Sequence, residues 1–172
     1  LFDGINTNLN EFIDLFPVHP NYVSYFERIK HGKSQREILK VLSGKFDDLL
    51  EREVPSENPG LITYDTYWSD LASTPAMLTI PDVRTVKDKI EIISDRIRNH
   101  FVGARANRKE IAQSIAQALA IRILRDDLDK RNGASAASLK EDLCVTIPGI
   151  EEPELLLATI ENTAKQLVTA TG

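Results

Sequence analysis

Gly32-Lys33-Ser34 is the tripeptide of this chain closest to a phosphate site, with a glycine for close backbone approach, a lysine for charge and a hydroxyl for a metal ion. A working phosphate loop needs another glycine five residues before Gly32 and a strand leading into it. Glu27 stands at that position and the preceding pattern is helical, so the tripeptide is a decoy. His19, bracketed by Pro17 and Pro20, is either a catalytic base or a buried, hydrogen-bonded turn residue, and the turn is the first reading. Tyr22, Tyr25 and Phe26, and again Tyr64, Tyr67 and Trp68, are spaced either to stack a ligand or to anchor helices in a core, with the core favoured. Asp126, Asp127 and Asp129 lack the glycine and distal glutamate of a calcium loop. One cysteine, Cys144, and three scattered histidines give no zinc spacing and no internal disulfide. There is no nucleophile elbow and no Gly-rich, strand-rich stretch to build a nucleotide core, so no catalytic constellation and no metal site is expected in this chain.

The elements that would position these residues are helices. Asn8 caps a first helix with Leu9, Phe12, Ile13 and Phe16 on one face, ending at Pro17. Pro20 suits the first position of a second helix, over 21–29. Ser34-Gln35-Arg36-Glu37 is a capping box for a third, with Ile38, Leu39, Val41, Leu42, Phe46 and Leu49 in its apolar stripe and Gly44 weakening it. Residues 51–60 are polar and Pro-interrupted, a surface loop. A compact helix follows from Thr63 or Asp65 to Leu71. From Pro81 a long helix carries Val83, Val86, Ile90, Ile93, Ile97 and Phe101 and ends at Gly103. Asn107 then caps a nearly buried helix to Leu124, with Ile111, Ile115, Leu119 and Ile123 on one stripe and Ala112, Ala116 and Ala120 on the next. Residues 130–137, with Asn132-Gly133, form a loop before a capping box at Ser138-Leu139-Lys140-Glu141, an extended edge segment at 145–147, and a last helix from Pro153 with Leu156, Ile160, Thr163 and Leu167 inward. The fold class is mainly α, a multi-helix bundle.

The chain has 172 residues, 42% of them apolar, which is enough to bury a core. No apolar run approaches the ~20 residues of a membrane span. The lone cysteine fits a reducing compartment, and a cytoplasmic location is the expectation. A start at Leu1 and an end at Gly172, directly after a helix, imply a piece of a longer protein. Net charge is −5, a poor overall match for nucleic acid. Its distribution is uneven: residues 84–109 hold eight Lys/Arg against three Asp/Glu, and residues 126–172 hold four against nine. Arg96, Arg98, Arg105, Arg108 and Lys109 are either a solvated helix face or a basic surface toward nucleic acid or an acidic partner.

Phe16-Pro17-Val18-His19-Pro20, Gln35 through Ser43 (QREILKVLS), Gly60 through Trp68 (GLITYDTYW) and Asp142-Leu143-Cys144 with the final helix resemble the large ATPase-like proteins of phage-defence islands, of the PglY/BrxC type in BREX and Pgl systems. The resemblance implies a piece downstream of an AAA+-like P-loop core, with no cofactor of its own and with ATP and Mg²⁺ bound by the parent. Its partners would be other phage-defence proteins, and it would not enter a membrane. Residues 1–52 would be a helical lid-like subdomain, 61–103 a connecting segment, and 104–172 a three-helix, winged-helix-like part without its wing. Arg36, three residues before Leu39, resembles the lid arginine that reports nucleotide phosphates, its alternative being a surface ion pair with Glu37 or Glu27. The helix in the recognition position carries Glu154, Glu161 and only Lys165, a departure from DNA-reading versions.

Overall fold

In the computed structural model the described residues are 2–29, 35–50, 53, 60–125 and 133–171, without the side chains of 35–37. They form ten α-helices: α1 (Asp3–Thr7), α2 (Leu9–Leu15), α3 (Pro20–Glu27), α4 (Gln35–Leu50), α5 (Tyr67–Ser73), α6 (Pro75–Leu78), α7 (Pro81–His100), α8 (Lys109–Leu124), α9 (Ala136–Leu143) and α10 (Pro153–Thr171). Short 3-10 turns at Tyr64–Thr66 and Gly103–Arg108 lead into α5 and α8. The molecule is a mainly α bundle, and among the described residues only isolated β-bridges occur. The Gly32-Lys33-Ser34 element, the Ser34 cap, most of the 51–60 loop and Asp126 through Asn132 lie outside the described residues.

α8 is the axis of the bundle. It packs along α7, against the 64–66 turn, and against α5 and α10. Ile111, Ala112, Ile115, Ala116, Ala118, Ala120, Ile121 and Leu124 are all buried on it, so its alanines let neighbouring helices approach closely. Both aromatic groups lie in the same core: Tyr22, Tyr25, Phe26, Tyr64, Tyr67 and Trp68 are all buried. Tyr25 stacks flat on Tyr64 with centroids 3.9 Å apart, and Phe26 packs on Tyr67 at 4.9 Å. Val83, Val86, Ile90, Ile97 and Phe101 line the inner side of α7, and Leu156, Ile160, Thr163 and Leu167 that of α10. These side chains belong to one continuous core drawn from residues 1–52, 61–103 and 104–172 alike.

Several local expectations change. The chain opens with α1, and Asn8 donates from Nδ2 to Gly4 O at 3.4 Å instead of capping α2. Of the face expected inward on α2, only Phe12 is buried; Leu9, Ile13 and Phe16 are 51%, 63% and 66% exposed. Asn107 lies within a 3-10 turn and α8 starts without a side-chain cap. α9 begins two residues before the expected box, because Ser135 Oγ accepts from Ser138 N at 3.0 Å. The 145–147 segment forms no strand: Ile147 bridges only to Ile150, closing a turn over Pro148-Gly149 in which Gly149 takes φ +80°.

Candidate functional site

Beneath the N-terminal helices lies a polar node whose members come from distant parts of the chain. Pro20 starts α3, and His19 caps it by accepting from Asn21 N through Nδ1 at 3.1 Å. A nitrogen that accepts an amide proton carries none of its own, so the His19 proton sits on Nε2, which donates to Glu141 O at 3.2 Å. Phe12 meets the imidazole edge-on at 4.9 Å. Backbone hydrogen bonds from His19 N to Ile62 O (3.0 Å) and from Ile62 N to Pro17 O (2.8 Å) stitch this turn to the segment before the 64–66 turn. The Phe16–Pro17 peptide within it is cis.

Asp142 on α9 is the centre of the node. Its Oδ1 accepts from Asn21 Nδ2 at 2.7 Å and its Oδ2 from Tyr25 OH at 3.4 Å. Arg122 Nη1 on α8 stands 3.6 Å from Oδ2, an ion pair longer than a hydrogen bond. The Arg125 guanidinium lies over the Tyr25 ring at 4.3 Å, on the column that Tyr25 makes with Tyr64. The neighbouring Glu141 accepts from Gly4 N through Oε2 at 2.8 Å and pairs with Lys140 through Oε1 at 3.2 Å. The node therefore ties α1, α3, α8 and α9 together.

Burial sets its protonation. Desolvation raises the Asp142 carboxyl above its usual range, opposed by Arg122, His19 and the Asn21 and Tyr25 hydrogen bonds. Desolvation lowers His19 below its ordinary value, against the pull of Glu141, Asp142 and Glu11. Asp65, buried beside the 64–66 turn, is also raised by desolvation although Thr63 Oγ1 donates to it at 2.6 Å. Cys144, left-handed at φ +45° after α9 and donating Sγ–H to Glu141 O at 3.3 Å, has its thiol pushed up to about 12 by burial. An inert thiol of this kind is packing. With both ring nitrogens of His19 engaged, the imidazole has no lone pair or proton left for a substrate. A cavity of about 180 Å³ reaches its edge, lined also by Gly4, Glu11, Asn21 and Glu141. Among the described residues there is no group of three or more His, Cys, Asp or Glu placed to hold a metal ion.

Of the residues singled out from sequence, Pro17, His19 and Pro20 meet in the turn above. Arg36 occupies the second position of α4, and its side chain lies outside the described residues. The basic candidates spread over the end of α7, the following 3-10 turn and the start of α8. Arg96 donates to Thr171 O and Arg98 pairs with Asp95; Arg105 Nη1 lies 3.1 Å from His100 Nε2. Arg108 is half-buried and Lys109 exposed. Sequence inspection missed Asn21, Arg122, Glu141 and Asp142 as a unit. The signal available was a polar residue, Asp142, three positions after inward Leu139 and beside inward Leu143.

Two open surfaces flank the bundle. Ile5, Leu9, Phe12, Ile13, Phe16 and Leu61 line an apolar groove of about 410 Å³. A cleft of about 510 Å³ with a mixed lining runs between α5, α7 and α8 over Trp68, with the Lys87–Glu91 and Arg98–Asp95 ion pairs on its wall. No helix among the described residues is long and apolar enough to cross a membrane.

Fold and node define a helical module whose described residues share a core and are fastened internally by a half-buried carboxylate. A family model, the DUF6079 second domain, matches residues 1–172, and the chain belongs to that family. Neither curated proteins nor solved structures gave a match.

Proposed function

We propose that this domain is a non-catalytic relay in a longer phage-defence ATPase of the PglY/BrxC type, passing the nucleotide state of a separate P-loop core to partner proteins. The observation that carries the reading is the open apolar groove of α1 and α2, because contiguous exposed apolar surface marks a protein contact. The node beneath it supports a relay, since Glu141 joins α1 of the groove to α9 and the adjacent Asp142 joins α9 to α3 and α8. The family's description as a second domain agrees with a position beside other domains of one chain. Arg36, at the start of α4, is the residue assigned to the phosphates. The nucleic-acid reading of Arg96, Arg98, Arg105, Arg108 and Lys109 is the weaker one, because the first three already have partners within the chain.

Turnover of ATP by the full-length parent tests both arms. Arg36→Ala lowers the rate roughly tenfold or more, the loss expected for one charge-assisted phosphate contact of ~1.5–3 kcal/mol. Ile13→Asp leaves the basal rate intact and abolishes the change that partner proteins produce. An unchanged rate in Arg36→Ala removes the nucleotide arm, and a partner response that survives Ile13→Asp removes the docking arm.

A further inference from the structure

α4 has two apolar faces. Ile38 and Leu42 are buried in the core, and Lys45 fastens the same side by donating to Thr66 O at 3.0 Å and pairing with Asp70 at 3.0 Å. The flanking face carries Leu39, Ser43, Phe46 and Leu50, spaced four, three and four. That is a heptad spacing, with Leu39 and Phe46 at one core position and Ser43 and Leu50 at the other. Leu39, Phe46 and Leu50 are 67%, 36% and 83% exposed, and Ser43 is exposed between them. Lys40 and Asp47, each directly following Leu39 or Phe46, border the stripe on its outer side and are exposed as well.

We propose that this stripe pairs antiparallel with the α4 of a second copy of the chain. The stripe complements its own reverse. Leu39 meets the second copy's Leu50, and Phe46 fills the space over the second copy's Ser43, so large and small alternate as a packed seam requires. In an antiparallel pair the border positions on the outer side face each other, bringing Lys40 opposite the second copy's Asp47 and the reverse, two equivalent ion pairs around a two-fold axis. A parallel pairing would instead set Phe46 on Phe46 and Ser43 on Ser43, with no such charge match. Two helices of this length bury less than the ~1,200 Å² of a standard interface, so the dimer is a weak one. This inference is independent of the nucleotide relay.

Sedimentation equilibrium of the 172-residue chain, from about 10 µM to about 1 mM so that a weak dimer is reached, reads the association. A monomer–dimer equilibrium is expected. Lys40→Asp sets like charges opposite each other and Phe46→Ser removes the knob; both positions are exposed, so the circular dichroism stays native while the dissociation constant rises at least about fivefold. The exchange Lys40→Asp/Asp47→Lys restores association. Orientation is read by mixing Leu39→Cys chains with Leu50→Cys chains under oxidation: disulfides form between unlike chains and not between like ones, because like positions in the antiparallel pair are ~16 Å apart. A monomer at the highest concentration overturns the proposal. So does a dimer indifferent to these substitutions, a charge exchange that restores nothing, or cross-links between like chains.

Discussion

His19 is committed at both ring nitrogens, and that commitment has a pH signature. Its folded-state pKa lies below the ordinary 6.5, with desolvation as the largest cause. As pH falls through 6.5 the unfolded chain takes up a proton that the folded chain refuses, so this contribution to stability is present above 6.5 and is lost on acidification. The raised carboxyls of Asp142 and Asp65 act with the opposite sign, because the folded chain keeps their protons longer. The difference between wild type and His19→Gln isolates the imidazole. Urea midpoints between about pH 7.5 and about pH 5.5 should show the wild type losing stability relative to the variant, and a flat difference would mean that His19 titrates normally in the folded state. That His19 sits in a turn between prolines was visible in the sequence. Its partners were not, because Glu141 is 122 residues away and contributes a backbone carbonyl, which no side-chain pattern encodes.

At the scale of elements, helix α8 separates local pattern from packing. Ile111, Ile115, Leu119 and Ile123 form an unbroken series of four-residue steps, and each such step rotates about 40° beyond a full turn. By Ile123 the stripe has swung about 120° from Ile111, which leaves Ile123 59% exposed while Ala118 and Ile121 are fully enclosed. Ala118→Leu should therefore cost about 2–3 kcal/mol through overpacking, and Ile123→Ala less than about 1 kcal/mol, measured by chemical denaturation. Comparable costs would restore the simple stripe. Helices with strong periodicity, α7, α8 and α10, were legible in the sequence, and their ends less so. Caps are worth only ~1 kcal/mol and yield to tertiary partners: Glu141 serves Gly4 N on α1, while Ser135 takes over the start of α9.

At the scale of the whole molecule, buried side chains from residues 1–52, 61–103 and 104–172 lie in the same core cluster among the described residues, and Trp68 is one of them. Unfolding followed by Trp68 fluorescence and by far-UV circular dichroism should give coincident transitions, as one cooperative unit does; an early loss of helix signal with tryptophan still buried would divide the molecule at residues 53–60. The node escaped the sequence reading for the same reason that the core is continuous. Asn21, Arg122 and Asp142 approach only when α3, α8 and α9 are packed. The proposed relay requires that the domain pass on a nucleotide state that it does not itself bind. Calorimetric titration of ATP with Mg²⁺, run in parallel on this domain and on the full-length parent, tests that most directly. No heat of binding with the domain and saturable binding with the parent are expected, whereas a micromolar dissociation constant for the domain alone would overturn the relay.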